Sequence, residues 1–408
     1  MQNRYLTAAL EKLCFADHKI ALVSGPRQCG KTTMAQRMLS QRKAGWYYNW
    51  DQTEFRKQWA QHPGQLVPAR KAGRVVPLLI FDEIHKSKRW KRTLKGIYDT
   101  LDYPVDIFVT GSAHLTVYRK GSDSLLGRYL PFRLHPFSLR EMAGLAPASP
   151  DDALQAMFST AKRNSTRRNK YLEQLLRFGP FPEPLFRQDE RKLRLWQQTR
   201  VDALVREDLR DLSRISELSK VQLLVAMLPD RVASPLSLNA LREDLEVSHD
   251  TVRRWLDWLK ELFYVFEIKP YARRIHRSIK KEGKAYLWDY SEIRNPGARF
   301  ENLVACHLLK ACHYWTDTGE GKFTLCYLRN KDGVETDFLI VKDGEPWLPI
   351  ETKLSDTTAS SALAKYMRAL RCSKGLQLVA TSSVCDLQHV RDEQILVCNA
   401  ADALIELV

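Results

Sequence analysis

The sequence predicts an α/β protein of several domains built around a parallel sheet, and three stretches predict it. In the first, the apolar run Ile20 to Val23 breaks at Gly25, and helical spacing resumes from Met34 to Leu39. In the second, Val75 to Phe81 reads as a buried strand that ends in two carboxylates, Asp82 and Glu83. The third lies beyond Tyr286, where a helical segment carrying Glu301 is followed by two strands carrying Asp337 and Glu351-Thr-Lys353. A chain of 408 residues with 44% hydrophobic content has room for about two to four domains with real cores.

Composition narrows the function classes. No run approaches the ~18 apolar residues of a membrane span, and the first ten residues lack the apolar core of a signal peptide. Eight cysteines without a C-x-x-C pair argue for reduced thiols in the cytoplasm and against a structural zinc. A net charge of +16 points to a polyanionic partner, most simply DNA, although a generally basic solvated surface would give the same balance.

Residues 4–13 read as an opening helix. The stretch that follows spells Gly25-x4-Gly30-Lys31-Thr32, a phosphate-binding P-loop between a strand and a helix. Gly25 and Gly30 permit the tight turn, Pro26, Arg27, Gln28 and Cys29 form the body of the loop, and Thr33 follows it. Loop N–H groups and the helix N-terminus favour phosphate, Lys31 reaches the β- and γ-phosphates, and the Thr32 hydroxyl completes a Mg²⁺ shell. ATP and Mg²⁺ are therefore the expected cofactors.

Trp46 to Trp50 is a short aromatic strand. Asp82 stands where a P-loop enzyme needs a carboxylate for the metal shell, and Glu83 where one polarises the attacking water. Trp90 to Leu101 has Trp90, Leu94, Ile97 and Leu101 on one helical face. Val105 to Ser112 is another buried strand, and either Thr110 or Ser112 at its end can meet the γ-phosphate or the water; a plain turn would carry the same residues. Asp82-Glu-Ile-His85 also fits the D-E-x-H of superfamily 2 helicases, but no second apolar strand-helix series follows residue 140.

Gly25 to Thr32, Asp82-Glu-Ile-His-Lys86, Thr110-Gly-Ser112 and Leu126-Gly-Arg128, in this order, resemble a widespread prokaryotic family of AAA-type ATP-binding proteins that join a P-loop domain to a C-terminal domain of unassigned function. The resemblance covers essentially the whole chain, with Cys29 departing from the more usual Val or Ser. It implies a homo-oligomer in which Arg128, at a helix-to-strand junction, is an arginine finger acting on a neighbour's nucleotide; a helix-terminal arginine is the plainer alternative. It also implies a helical lid over residues 141–225, after an ATPase core over 1–140.

Residues 226–285 read as a winged helix-turn-helix. Ser248 is a fitting N-cap for the helix from His249 to Phe263, and Val252, Trp255, Leu256, Leu259 and Leu262 form its buried stripe. Thr251, Arg253 and Arg254 then point outward, where a recognition helix reads DNA. The following hairpin carries Arg273, Arg274, Arg277, Lys280 and Lys281, suited to phosphate contacts. A packing module that only joins domains is the alternative.

Residues 286–408 form an αβββαβ pattern whose Glu301, Asp337, Glu351 and Lys353 resemble the restriction-endonuclease-like PD-(D/E)XK superfamily, which includes junction resolvases. The resemblance implies Mg²⁺ on Asp337 and Glu351, a further ligand or second site at Glu301, Lys353 activating water, and duplex or branched DNA as substrate. A non-cleaving domain of the same fold is the alternative. The hairpin through Asp343-Gly344 has two possible registers. A two-residue turn sets Asp337 opposite Ile350, whereas the odd register, or an equivalent bulge, pairs Phe338 with Ile350 and Ile340 with Leu348 and brings Asp337 beside Glu351. The apolar pattern favours the second.

Overall fold

A computed structural model describes residues 3–69, 75–111, 125–159, 166–204, 218–272, 282–381, 383–391 and 393–408. The chain divides into two compact units, Met1–Pro136 and Phe137–Val408. Among the described residues no helix is long and apolar enough to cross a membrane.

The first unit is a five-stranded parallel sheet. Its strands are β1 (Ile20–Ser24), β2 (Gly45–Asn49), β3 (Leu78–Asp82), β4 (Asp106–Gly111) and β5 (Tyr129–Arg133), in the order β2-β3-β4-β1-β5. Every residue of β1, β3 and β4 is buried, as expected for inner strands covered on both faces. An opening helical segment (Leu6–Ala9 continuing through Leu10–Cys14) precedes β1, and the longer helices are Lys31–Ser40, Thr53–Gln61 and Trp90–Asp99, with Trp90, Leu94 and Ile97 buried and Leu101 packed at the edge of the same core. Placing β4 between β1 and β3 sets the C-terminal ends of three strands side by side: Ser24 pairs with Gly111, and Thr110 with Asp82. A ligand site belongs at such an end, where strand order switches.

The second unit carries an eight-stranded mixed sheet in the order β12-β13-β11-β10-β9-β8-β6-β7. Its strands are β6 (Val265–Pro270), β7 (Lys284–Leu287), β8 (Phe323–Arg329), β9 (Glu335–Lys342), β10 (Glu345–Lys353), β11 (Gly375–Val379), β12 (Cys385–Val390) and β13 (Glu393–Asn399). The long helix Pro296–Asp317, the meander β8-β9-β10, the helix Ser361–Leu370 and β11, parallel to β10, give the expected αβββαβ order. The two strands of the wing, β6 and β7, are not a separate hairpin: β6 also pairs with β8, so they continue the same sheet.

The helix-turn-helix comprises Leu238–Leu245 and His249–Glu261. Ser248 caps the second helix through the Thr251 N–H at 3.1 Å, and Val252, Trp255, Leu256 and Leu259 are buried. The helices between 141 and 225 belong to the second unit. Buried polar contacts tie them there: Lys310 Nζ to Glu141, the Trp315 indole to Ala148 O at 2.9 Å, and Arg200 to Asp289 and Glu292. Among these helices, Glu190–Ala203 starts with Asp189 as its cap.

The hairpin between β9 and β10 combines features of both registers. Lys342 pairs with Glu345 around the two-residue turn Asp343-Gly344, both at positive φ. A bulge between Pro346 and Leu348 then shifts the ladder by one, so that Ile340 pairs with Leu348 and Phe338 with Ile350. The bulged Trp347 packs edge-on against Trp315 and Phe323, each ring 5.8 Å away. Aromatic packing at the half-buried Trp347 thus keeps the favoured local turn and the continuous apolar face together.

Candidate functional site

In the first unit, the loop between β1 and the helix Lys31–Ser40 is shaped by its glycines. A Cβ on Gly25 would sit 2.3 Å from Leu134 O, so only glycine allows the chain to pass there. Gly30 caps the helix at φ 97, a left-handed conformation that glycine adopts without strain. Gly25, Pro26 and Cys29 are buried, whereas Arg27, Gln28, Thr32 and Thr33 are exposed. The Lys31 ammonium donates to the loop's own carbonyls, Gly25 O at 2.8 Å and Pro26 O at 2.7 Å, and must leave them to reach a phosphate. The Cys29 thiol lies 3.6 Å from Leu134 O and packs inside the loop. Arg4, which sequence reasoning passed over, donates to Cys29 O and His135 O and pins the loop from beneath.

Asp82 is the hub of the site. Its Oδ2 accepts from the Thr32 hydroxyl at 2.8 Å and from the Tyr47 hydroxyl at 2.7 Å, and its Oδ1 accepts from the Thr110 hydroxyl. A carboxylate with three hydroxyl donors is fixed in rotamer. Thr110 is fully buried and turned to Asp82 rather than to the open face of the loop. Tyr47 carried no motif, so only the pairing of β2 with β3 reveals its role. Glu83 follows at φ 60, its N–H bonded to Thr110 O at 3.1 Å. Burial raises its carboxyl above the usual range, while Lys31 and Lys86 oppose the shift. A carboxyl so raised is better able to accept a proton. The residues present fit a nucleoside triphosphate with Mg²⁺, Thr32 and Asp82 being placed to share the ion's shell.

Arg128 forms a bidentate pair with Asp99, at 2.6 and 3.1 Å. The strand it precedes, β5, begins at Tyr129, which pairs with Ile20 at the start of β1. The P-loop leaves the opposite end of β1, so about four residues of strand, roughly 13 Å, separate Arg128 from its own loop. Ser112 lies outside the described residues.

In the second unit, Arg253 and Arg254 are exposed on the helix His249–Glu261, Arg254 5.4 Å from the ring centre of Trp258. Thr251 is less free: its hydroxyl is bonded to that of Ser248 at 2.9 Å as part of the cap. Arg273, Arg274, Arg277, Lys280 and Lys281 lie outside the described residues.

The acidic residues of the αβββαβ core are drawn toward protein cations. Lys353 Nζ donates to Glu351 Oε1 at 2.8 Å, while Glu351 Oε2 is buried with no hydrogen-bond partner. Asp337 Oδ2 accepts from the Thr352 N–H at 2.8 Å and the Thr352 hydroxyl at 2.6 Å. Glu301 Oε1 accepts from the Tyr286 hydroxyl at 2.7 Å and from Lys284 Nζ at 3.1 Å. Burial, then the charge of Asp337, raises Glu301 to about 7, and burial beside Asp337 raises Glu351 as well. Among the described residues no three acidic, histidine or cysteine side chains are arranged to hold a metal ion. Glu301, Asp337 and Glu351, expected as Mg²⁺ ligands, are therefore near one another electrostatically without forming a ligand set. Lys284 carried no sequence signal beyond the general basicity of the wing, and Glu335 on β9 carried none.

Residues 17–143 match the family model described as an AAA domain, and residues 169–293 and 296–398 match two models described as domains of unknown function (DUF8612 and DUF4143). An uncharacterized protein of Methanocaldococcus jannaschii is 23% identical over 308 residues, covering 72% of this chain and 65% of its own length, so the chain spans just under two thirds of that relative. An uncharacterized protein of Haemophilus influenzae is 22% identical over 350 residues, 80% of each chain. Among solved structures, the Walker-type ATPase of Pyrococcus abyssi is similar over 69% of this chain and 91% of its own, with 13% identity and a TM-score of 0.39. A RuvB variant of Thermotoga maritima is similar over 64% and 86%, with 16% identity and a TM-score of 0.29.

Proposed function

We propose that this chain, an AAA-type P-loop ATPase over residues 17–143, is a cytoplasmic switch in which ATP hydrolysis by the first unit controls DNA binding by the second. The observation that carries the reading is Asp82, held by Thr32, Tyr47 and Thr110 at the ends of adjacent strands beside the P-loop. Loop N–H groups and Lys31 would hold the phosphates. Thr32 and Asp82 would hold Mg²⁺, which when bound supplies charge neutralisation on the β- and γ-oxygens. Glu83 would orient the attacking water and take its proton. Arg128, beyond reach of its own loop, would act on a neighbouring subunit's nucleotide, which makes the working form a homo-oligomer.

DNA is the partner that best accounts for a net charge of +16, the exposed Arg253 and Arg254, and the cluster of basic residues at 273–281. In this role the second unit binds DNA without cleaving it. A second reading, metal-dependent cleavage of duplex or branched DNA, is favoured by the contact of Lys353 with Glu351 beside Asp337.

The test offers the purified chain duplex, forked and four-way DNA with Mg²⁺ or Mn²⁺, and follows both ATP hydrolysis and strand integrity. DNA-stimulated hydrolysis that is lost in Lys31→Ala, with strands intact, is expected. Hydrolysis indifferent to every DNA would remove DNA as the partner. Cleavage lost in Asp337→Asn would establish the second reading.

A further inference from the structure

We infer that Lys284 is the resident cation of the carboxylate cluster Glu301, Glu335 and Asp337, so that the second unit carries an internal ammonium where its fold would place a divalent metal. This role for Lys284 is independent of the nucleotide site and decides between the two readings of the second unit.

Lys284 comes from β7, outside the αβββαβ core, and is 1% exposed. Its Nζ lies 3.1 Å from Glu301 Oε1 and 3.8 Å from Asp337 Oδ1, and it also contacts Glu335 Oε1. The ring of Tyr327 closes a further side, its centre 5.6 Å from the ammonium. The 3.1 Å contact suits an N–H donor and the 3.8 Å one a charge pair. Mg²⁺ needs oxygens at about 2.0–2.1 Å and Ca²⁺ at about 2.3–2.6 Å. For a metal to bind there, the carboxylates would have to contract around it and the buried lysine would have to leave.

The strand gives that lysine little freedom. Lys284 pairs with Ile268 on β6, and Pro235 bridges it as well. The adjacent Gly283 has no room for a Cβ, which would meet the Glu267 side chain at 2.3 Å. Protein donors take several of the neighbouring acceptors, with Glu351 Oε2 left over. Tyr286 joins Lys284 on Glu301 Oε1, Thr352 donates twice to Asp337 Oδ2, Arg329 reaches Glu335 Oε2 at 3.0 Å, and Lys353 holds Glu351 Oε1. Burial disfavours the charge on Lys284, but Glu301, Asp337 and Glu335 outweigh it and hold the ammonium above its usual range. An ammonium so placed keeps the αβββαβ architecture while removing the ion that would activate water for phosphodiester cleavage.

The test is a Mn²⁺ titration of the full-length chain without nucleotide, read by electron paramagnetic resonance of the free ion. The wild type should bind no Mn²⁺ that Asp337→Asn removes, up to millimolar concentration. Lys284→Met should gain one Mn²⁺ per chain, and Lys284→Met with Asp337→Asn should lose it. Because Lys284→Met leaves the carboxylates facing one another, its thermal unfolding is followed in parallel; Mn²⁺ should raise its midpoint and leave that of the wild type unchanged. A wild-type chain that binds Mn²⁺ in an Asp337-dependent manner overturns the inference. So does a Lys284→Met chain that neither binds Mn²⁺ nor is stabilised by it.

Discussion

Asp82 and Thr110 face each other across β3 and β4, and the Thr110 hydroxyl donates to the Asp82 carboxylate. The same backbone pairing places the Glu83 N–H on Thr110 O, so one threonine orients both acids at the end of β3.

Thr110→Val should therefore lower kcat more than it raises KM. A hydrogen bond to a charged group is worth about 1.5–3 kcal/mol, or roughly ten- to a hundredfold in rate. Thr110→Ser, which retains the hydroxyl, should stay near wild type. A Val variant with unchanged kcat would reduce Thr110 to packing.

Arg128 is tied to Asp99 on its own surface and stands far from its own P-loop. Arg128→Ala should lose ATPase activity, and mixing it with Lys31→Ala subunits should restore part of it, because each then supplies what the other lacks. No recovery at any mixing ratio would leave Arg128 as the partner of Asp99 alone.

Charge reversal of Arg273, Arg274 and Arg277 should weaken binding to all DNA sequences alike and flatten the salt dependence by roughly three units of slope. Fluorescence anisotropy over a salt series measures both. Unchanged affinity and slope would assign the basic segment to another partner.

His307 supplies a pH dependence of the second unit's stability. Its Nε2 accepts from the Leu139 N–H at 3.1 Å, which places the proton on Nδ1, 2.8 Å from Leu303 O. Burial pushes its pKa from 6.5 down to about 4. The unfolded chain binds a proton below about 6.5 while the folded ring does not until about 4. The stabilising contribution is thus complete above pH 6.5 and is lost as pH falls through 4, on the order of 3 kcal/mol in all. Urea denaturation between pH 4 and 7 should show His307→Gln with a flatter acid limb. An identical slope in both proteins would remove His307 as its source.

The parts of this architecture that were legible in the sequence are local. Ile20 to Thr33 announces strand, loop and helix through an apolar run, two glycines and a lysine, and Ser248 announces its helix by its capping geometry. The β9–β10 hairpin was legible by halves. Asp343-Gly344 chose the turn, the apolar alternation chose the register, and the bulge that reconciles them depends on Trp347 meeting Trp315 and Phe323 from distant segments. Tyr47 and Lys284 were not legible, because each gains its meaning from a partner on another strand or helix rather than from spacing along the chain. The same blindness concealed the pairing of β6 with β8, which joins the wing strands to the larger sheet.

The proposed switch couples nucleotide state to DNA binding. Its most direct measurement is duplex affinity for Glu83→Gln, which should hold ATP without turning it over, compared with Lys31→Ala, which should not hold it. Adding ATP should shift the affinity of Glu83→Gln by about fivefold or more and leave Lys31→Ala unchanged. Equal affinities with and without ATP in a Glu83→Gln chain that equilibrium dialysis finds loaded would contradict that coupling.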